Sequence, residues 1–364
     1  MKTAIVLLCL VAAVSASSHH FNARQNYIDE INARSQMTWV AGMNGRFAHE
    51  PLGVSKSLCG VKENNNAMKE AAVAAGLMKM VPKKTDAEIE AMAVPASFDT
   101  AANWPKCATM INDIRDQSNC GCCWAFGAIE AASDRLCIAT NATIVASLSA
   151  QELCFCSSFD GCGGGDTYTP WSYIQSYGVS TGAGQGNGPY DTKGFCSKFS
   201  LPHCHHHGPQ GNDPYPAEGA PGCPSESSPA CPSTCDSSSV IPWNDFKNDR
   251  YSFQGSVVGY SDEASIQQAL MTDGPVETAF TVYQDFENYV SGIYQQTSNT
   301  VLGGHAVKIT GWGVENGVKY WKVANSWNPY WGEKGFFRIL RGVDECGIES
   351  GATSSSAGAT WGKK

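Results

Sequence analysis

The interpretation of this chain starts from one stretch, Gln117-Ser118-Asn119-Cys120-Gly121-Cys122-Cys123-Trp124-Ala125-Phe126. Apolar residues recur at helical spacing from Trp124 to Leu136, directly after a Gly-Cys turn. This pattern predicts a buried helix that begins at about Cys123. Because backbone N–H groups and the helix dipole favour negative charge at the start of a helix, we expect the pKa of the Cys123 thiol to be lowered and the thiolate to be favoured.

A disulfide is the ordinary state of a cysteine in a chain with 16 of them, and Cys123 alone gives no reason to expect anything else. His305 opens one predicted strand, after Gly303-Gly304, and Asn325 closes the next, so the two side chains would lie side by side across a hairpin. A nucleophilic thiol needs a base to share its proton and a third group to orient the imidazole. A single His on a strand is usually structural, but Cys123, His305 and Asn325 together predict a nucleophilic site.

The regions around these residues differ in their secondary-structure signals. The region after Cys123 is helical, whereas the last third of the chain has three β-branched or aromatic runs, at 306–310, 318–324 and 336–340, with the turn Asn316-Gly317 between the first two. A second helix is predicted to start with Ser261 as its N-cap. A helical part followed by an antiparallel sheet predicts an α+β fold with a helical left lobe, an antiparallel β right lobe and a cleft between them.

The amino-terminal quarter has the features of segments that are removed. Residues 1–16 have a charged start, a short apolar core and a small-residue end, typical of a secretory signal peptide cleaved near Ala16. Residues 17–93 are rich in Ala, Met, Lys and Glu, with a helix-compatible stretch at 67–80, and the composition changes abruptly at about residue 94. This change predicts a propeptide at 17–93 and a catalytic domain at 94–364. A helical domain that is retained is the alternative.

Cysteine content and charge restrict the compartment and the partners. Fourteen cysteines lie between Cys107 and Cys346, which after a signal peptide indicates a disulfide framework formed in an oxidising compartment. The sequon at Asn141 fits the same secretory route, to a lysosome-like vacuole or to the outside. The formal net charge of −9, without basic runs, argues against nucleic acid and anionic membranes as partners. No stretch after the signal approaches the roughly 20 apolar residues of a membrane helix.

Residues 196–243 form a region of their own. They are rich in Pro, Gly, Ser, Cys and His and lack periodicity, which indicates a long loop held by disulfides. The loop contains Cys204-His205-His206-His207, and a cluster of this kind could instead bind zinc. That alternative requires a free Cys204, which a disulfide would remove.

Four segments of the chain resemble the papain family of cysteine proteases, and its cathepsin B branch in particular. They are RDQSNCGCCWAFGAIEAASDR at 115–135, GCGGG at 161–165, GGHAVKITGWGVENG at 303–317 and VANSW at 323–327. The resemblance covers nearly everything after residue 94 and reaches weakly into the propeptide at Thr38-Trp39 and Leu58-Cys59-Gly60. It implies a papain-like fold and a peptidase made as a zymogen, active at acid pH, with endopeptidase and C-terminal dipeptide-removing activities.

The resemblance also implies catalytic roles. Cys123 would be the nucleophile that forms a thioester, His305 the base and Asn325 the group that orients it. Gln117 would donate its side-chain amide to an oxyanion hole together with the N–H of Cys123. No metal and no organic cofactor is implied.

Substrate binding, by the same resemblance, would involve five further positions. Trp327 would shield the His–Asn hydrogen bond from water, and Gly164 and Gly165 would let the substrate backbone approach closely. The segment at about 196–235 would be an occluding loop over the cleft. Its His206 and His207 would bind the C-terminal carboxylate of the substrate.

This loop departs from the family in its latches. Asp116 is available to pair with His206, and that pair would weaken as pH rises and the histidine loses its charge, so dipeptide removal should favour acid pH. The family's second latch joins an arginine of the loop to an aspartate, and both partners are missing, because Tyr330 stands at the aspartate position and no arginine occurs from Ser197 to Asp249. We therefore expect a loop that opens more readily and permits more internal cleavage.

Two other departures concern the second specificity pocket and the cysteines. Gly351 stands where the family has a glutamate that binds arginine, so we expect a preference for hydrophobic or aromatic residues. Cys122 replaces a small Ser or Gly, either as a spectator thiol or as a residue that makes the site sensitive to oxidation. The implied disulfides, which leave Cys156 unassigned, are Cys107–Cys137, Cys120–Cys162, Cys196–Cys235, Cys204–Cys223 and Cys154–Cys231.

The implied partners are protein and peptide substrates, cystatin-type inhibitors and the chain's own propeptide, which would run through the cleft in reverse and block it. A monomer is expected. Two other interpretations stand beside this one. The first is a catalytically silent relative that binds peptides or inhibitors. The second is a disulfide-rich extracellular structural protein, which would have no need of an unpaired Cys123 beside a matching His and Asn.

Overall fold

A computed structural model of the chain describes residues 18–157, 161–182, 195–201 and 226–364. The α-helices of this part are α1 (18–32), α2 (Asn65–Ala74), α3 (Asp86–Ala91), α4 (Thr100–Asn103), α5 (Ala108–Ile111), α6 (Cys123–Ala139), α7 (Ala150–Cys156), α8 (Thr169–Tyr177) and α9 (Glu263–Asp273). Short 3₁₀ helices lie at Val54–Leu58, Pro105–Cys107, Gln284–Asn288 and Glu345–Gly347. None of these helices combines the length and the apolar character needed to cross a membrane.

The strands are β1 (Trp39–Ala41), β2 (Met78–Met80), β3 (Phe98–Asp99), β4 (Tyr251–Gln254), β5 (Val257–Gly259), β6 (Val276–Tyr283), β7 (Tyr289–Tyr294), β8 (Val301–Glu315), β9 (Val318–Ala324), β10 (Phe336–Leu340), β11 (Thr353–Ser355) and β12 (Thr360–Lys363). The predicted signal peptide, His206, His207 and the implied Cys204–Cys223 pair lie outside the described residues.

One ten-stranded sheet runs in the order β1-β7-β10-β9-β8-β6-β11-β5-β2, with β3 paired to β8 off this path. The predicted hairpin is present as β8 and β9, which pair antiparallel. The three predicted strands of the last third pair antiparallel, β10 with β9 as well as β9 with β8. The sheet as a whole is mixed, because β10 also pairs with β7, and β2 with β5, in parallel. β1 and β2 both belong to residues 18–93, which we call the prosegment. The prosegment therefore supplies the strand at each edge of the sheet.

The two lobes have separate cores. In the first, α6 is buried on all sides over most of its length, and Trp124, Phe126 and Ile129 have no exposed surface. It packs against α7 and α8. The second core lies on the sheet, around residues such as Phe280 and Trp321. This is the α+β fold of two lobes that the sequence predicts, and α6 meets β8 where the lobes join.

Two helix ends differ from the predictions. The N-cap of α9 is Asp262, whose side chain accepts a hydrogen bond from the N–H of Ser265 at 2.9 Å, so the predicted start at Ser261 is one residue early. α2 ends at Ala74 rather than continuing to residue 80. Gly76 follows in the left-handed region with φ 73°, which turns the chain into β2.

The disulfides follow the implied pattern in part. Three implied pairs are present, at Cys107–Cys137, Cys120–Cys162 and Cys196–Cys235. The implied Cys154–Cys231 pair is wrong, because Cys154 bonds to Cys122 and the unassigned Cys156 bonds to Cys231. Positions two apart on α7 point to different sides of the helix, so Cys154 is buried towards α6 while Cys156 faces the surface. Cys122 is therefore not a spectator thiol.

Candidate active site

Cys123, His305 and Asn325 come together where α6 meets the sheet. Cys123 is the first residue of α6 and is fully buried. His305 lies in β8 and Asn325 follows β9, so the hairpin places His305 Nε2 at 2.8 Å from Asn325 Oδ1. The backbone N–H of Ala306 donates to the Cys123 sulfur, which puts β8 against the thiol. The other ring nitrogen of His305, Nδ1, makes no hydrogen bond within ordinary geometric limits among the described residues, and the nearby Leu58 carbonyl of residues 18–93 raises the pKa of the ring.

Gln117 is held by the loop that carries Asn325. Its N–H donates to the Ser326 carbonyl at 2.9 Å, and its Oε1 accepts from Ser326 Oγ at 2.7 Å. The side-chain amide is thereby aimed into the cleft, where it donates to the carbonyls of Cys120, at 2.8 Å, and Leu58, at 3.0 Å. Leu58 belongs to the prosegment, so Gln117 already holds a peptide carbonyl in this state. Sequence reasoning missed Ser326, although it lies inside the VANSW segment.

Trp327 covers the His–Asn pair. Its side chain is fully buried, and its ring centroid lies 4.9 Å from that of His305. Phe286 and Phe47 each pack against it at 5.6 Å. An apolar cover of this kind excludes water from the hydrogen bond and strengthens it. Phe47 lies in the prosegment, which therefore contributes part of the cover.

The prosegment crosses the site at residues 60–62. The Gly60 N–H donates to Cys123 Sγ at 3.2 Å. The Gly60 carbonyl accepts from the Gly165 N–H at 2.8 Å, and the Lys62 N–H donates to the Gly165 carbonyl at 2.9 Å. The thiol therefore faces an amide hydrogen rather than a carbonyl carbon, an arrangement in which it cannot attack the chain that covers it.

Gly164 and Gly165 are required by this close approach. Gly164 has φ 99°, and a Cβ there would lie 2.5 Å from the Gly60 carbonyl oxygen. A Cβ at Gly165 would lie 2.5 Å from the Trp124 ring. A larger residue at Gly164 would therefore collide with the crossing segment, whereas one at Gly165 would collide with the Trp124 ring.

Burial sets the charge state of the two reacting groups. It raises the pKa of Cys123 to about 11, although N–H donation from Ala306 and Gly60 acts in the opposite direction. Burial also lowers the pKa of His305 to about 4, against the effect of the Asn325 hydrogen bond. Both groups are therefore neutral between about pH 5 and 9. The expectation of a Cys123 thiolate is wrong for this state, because desolvation under the prosegment outweighs the helix start.

Asp116, the expected partner of His206, contacts the prosegment. Arg46 Nη1 lies 3.5 Å from Asp116 Oδ1, and Arg46 Nη2 donates to the Ser118 carbonyl at 2.8 Å. His206 lies outside the described residues, so the latch stays a prediction. Sequence reasoning missed Arg46, which has no motif around it.

A cavity of about 190 Å³ lies beside the site. Its lining includes Asn65, Ala279, Phe280, Gly304 and Gly351. Lys69 of α2 is buried next to it and donates to the Gly351 carbonyl at 3.0 Å. Burial lowers the pKa of Lys69 to about 8, and the carboxylates of Glu277 and Asp166 partly oppose that shift. The prosegment thus places a lysine beside the cavity that Gly351 lines.

One group in the described residues has the spacing of metal ligands. The sulfurs of Cys120, Cys122 and Cys154 lie within 4.8 Å of one another. Each belongs to a disulfide, so none is available as a thiolate ligand.

Comparisons with known proteins agree with this geometry. The family model described as papain family cysteine protease matches residues 94–356. Cathepsin B-like cysteine proteinase 6 of Caenorhabditis elegans is 39% identical over 96% of this chain and 93% of its own length. A cathepsin B-like cysteine proteinase of Schistosoma japonicum is 37% identical over 96% and 97%. Among solved structures, proCathepsin B S9 from Trypanosoma congolense has a TM-score of 0.68 at 29% identity and covers 91% of this chain and 97% of that one.

Proposed function

Because the chain belongs to the papain family of cysteine proteases and is cathepsin B-like over nearly its whole length, we propose that Cys123, His305, Asn325 and Gln117 hydrolyse peptide bonds through a thioester acyl-enzyme. One observation carries the proposal, the 2.8 Å contact between His305 Nε2 and Asn325 Oδ1 beside the buried thiol. It orients the imidazole so that Nδ1 can accept the thiol proton.

The steps follow from these positions once the prosegment has left. A substrate carbonyl takes the place of the Leu58 carbonyl against the Gln117 amide, and the N–H of Cys123 supplies the second donor to the oxyanion. The thiolate forms a C–S bond with that carbonyl carbon, and the His305 imidazolium then gives its proton to the leaving amine. Water hydrolyses the thioester with His305 as base. Trp327 keeps water away from the group that orients the base.

The propeptide at 17–93 acts as the inhibitor of the catalytic domain at 94–364 in this proposal. Support comes from the crossing at Gly60 to Lys62, which takes up the hydrogen bonds of Gly165, and from the two edge strands that hold the crossing in place. Acid pH loosens the prosegment and starts activation. The secretory route ends in a lysosome-like vacuole or outside the cell, and the exposed Asn141 carries the glycan.

We also propose that the enzyme removes dipeptides from the C-terminus of its substrates. The loop at about 196–235 carries His206 and His207, which lie outside the described residues and which, in this proposal, bind the substrate's C-terminal carboxylate. A histidine is charged below its ordinary pKa of about 6.5, so a pair between His206 and Asp116 would be strongest at acid pH and would be lost as the imidazole loses its charge. Dipeptide release should dominate at pH 5 and internal cleavage should gain at pH 7.

The test compares dipeptide release with internal cleavage by the acid-activated protein at these two pH values. Cys123→Ala should abolish both activities, whereas Cys59→Ala, which removes a thiol of the discarded prosegment, should change neither. His206→Ala with His207→Ala should remove dipeptide release alone. Activity that survives Cys123→Ala would overturn the proposal. Dipeptide release that does not change with pH would rule out the His206–Asp116 pair as the latch.

A second candidate function is a catalytically silent relative that binds peptides or inhibitors of the cystatin type. A substrate-like epoxide distinguishes the two, because it should label Cys123 of the activated monomer only if the thiolate forms. Substrates with arginine or phenylalanine in the second pocket test its specificity. We expect the phenylalanine substrate to be cleaved faster, because Gly351 supplies no carboxylate.

A further inference from the structure

We propose that Cys59 of the prosegment and Cys123 form a reversible disulfide that locks the uncleaved chain. Among the described residues, the cysteines outside disulfides are Cys59, Cys123 and Cys346. Two of these three lie at the same point of the cleft. The cross-link itself is independent of the proposed function, whereas its regulatory consequence depends on it.

The geometry brings the two thiols within reach. The Gly60 N–H donates to Cys123 Sγ at 3.2 Å, and Gly60 is bonded directly to Cys59, so the Cα of Cys59 lies within about 6 Å of that sulfur. A disulfide needs Cα atoms about 4.4–6.8 Å apart, a separation that the backbone at Cys59 must adopt and that side-chain rotation alone does not change. Burial raises the pKa of Cys59, and the charge of a nearby Cys123 thiolate raises it further, which is a second sign of their proximity.

The two thiols differ in access. Cys59 is half-buried against the sheet core, and its sulfur contacts the Ser55 carbonyl at 3.3 Å. Cys123 is fully buried beneath the crossing segment. A small oxidant therefore reaches Cys59 first. Rotation about the Cα–Cβ bond of Cys59 would then carry its sulfur from Ser55 towards Cys123.

The chemistry is a thiol–disulfide exchange with a low-molecular-weight disulfide, RSSR, of an oxidising compartment. The fraction of Cys59 that ionises attacks RSSR and forms a mixed disulfide, and the displaced RS⁻ takes up the proton that Cys59 lost. Cys123 then loses its proton and attacks the Cys59 sulfur, and the second RS⁻ leaves and takes up that proton as RSH. Two protein thiols are oxidised and one RSSR is reduced to two RSH. The product ties the prosegment to the nucleophile, so acid alone cannot release it and a thiol reductant becomes necessary.

The experiment uses the full-length zymogen treated with oxidised glutathione. Remaining thiols are alkylated, the protein is digested without reduction, and the Cys59 and Cys123 peptides are identified by mass spectrometry. We expect a linked pair in the wild type and in Cys346→Ser, which removes the other unpaired thiol, but not in Cys59→Ser. Acid activation of the oxidised wild type should slow at least about tenfold and recover with dithiothreitol, whereas Cys59→Ser should activate equally in both redox states.

Recovery of Cys59 as a free thiol or as a glutathione adduct only, with Cys123 alkylated separately, would overturn the proposal. A linked pair without any effect on activation would retain the cross-link and remove its regulatory role. These results can be distinguished from a failure of the proposed function. If the protein is not a peptidase, no form of it cleaves peptides, but mass spectrometry still reports whether Cys59 and Cys123 are joined.

Discussion

The two ends of the prosegment cover opposite edges of one sheet, but they are held very differently. At the amino-terminal end β1 pairs with β7, and Trp39 is buried with its ring centroid 5.2 Å from that of Tyr294. Arg24 adds a fully buried ion pair, with Nη1 at 3.0 Å from Glu287 Oε2. The same carboxylate accepts the N–H of Gly53 at 3.0 Å. This end is therefore anchored by apolar burial, by charge and by backbone hydrogen bonds together.

At the carboxyl-terminal end β2 has little beyond its backbone pairing with β5. Met78 is buried, but its neighbours Leu77 and Met80 are exposed. The following helix, α3, has no buried residue and is stabilised by a capping box between Thr85 and Glu88. An element with local hydrogen bonds and no buried apolar surface opens at low cost. We therefore expect the carboxyl-terminal end to open first, for processing, while the amino-terminal end still covers the cleft.

Arg24→Met should loosen the amino-terminal end of the prosegment, which is the more firmly held of the two. The change leaves the Glu287 carboxylate beneath the prosegment without its buried partner, which costs about 3–5 kcal/mol. In a Cys123→Ala zymogen, which cannot process itself by the proposed mechanism, amide hydrogen exchange over residues 39–44 should accelerate by about 10²–10³-fold.

Arg34→Met is the matched control for that experiment. It removes the same charge, but the Arg34 guanidinium donates to the Thr297 carbonyl at 2.7 Å at an exposed position, so exchange should change little. Equal acceleration in the two variants would show that net charge, not the buried pair, holds this end.

The next largest effect is expected on the alkylation rate of Cys123, in the cleft between the two ends of the prosegment. Burial under the prosegment raises the pKa of Cys123 to about 11, so the thiol is protonated at pH 7 and the thiolate fraction grows as pH rises towards that value. Iodoacetamide should therefore alkylate Cys123 in the intact zymogen about 300-fold more slowly at pH 7 than an exposed cysteine, whose pKa is about 8.5. The rate should rise about tenfold per pH unit up to pH 9.

Peptide mass spectrometry separates this reaction from alkylation of Cys59 and Cys346. Activation should abolish the pH dependence, because water and a charged His305 then stabilise the thiolate. A zymogen rate that does not depend on pH would mean that the thiolate already exists beneath the prosegment, and the cleft would then not be closed by the amino-terminal anchor.

The sequence predicted the elements that carry the candidate site better than it predicted the anchors, because the signals of those elements are local. The start of α6 at Cys123 and the hairpin that carries His305 and Asn325 each depend on residues within one element. The Arg24–Glu287 pair joins residues 263 positions apart. β1 and β2 have three residues each, too few for a periodic pattern to appear.

The wrong expectations have the same origin. A lowered pKa at Cys123 follows from the helix start alone, whereas the raised pKa depends on a segment about 60 residues earlier in the chain that covers it. The Cys122–Cys154 bond depends on which face of α7 turns towards α6, which the spacing of the cysteines does not reveal.

Met78→Ala should have the smallest effect and should loosen only the carboxyl-terminal end of the prosegment. Met78 is the buried side chain of β2, and its truncation costs about 2 kcal/mol. In the Cys123→Ala zymogen, trypsin cleavage at Lys83 and Lys84 should accelerate by about 30-fold, while exchange over residues 39–44 should stay unchanged. Met80→Ala makes the same chemical change at a position that is 41% exposed and should alter neither measurement. If Met78→Ala accelerated exchange at residues 39–44 as well, the prosegment would undock as one cooperative unit, and release at one edge could not precede release at the other.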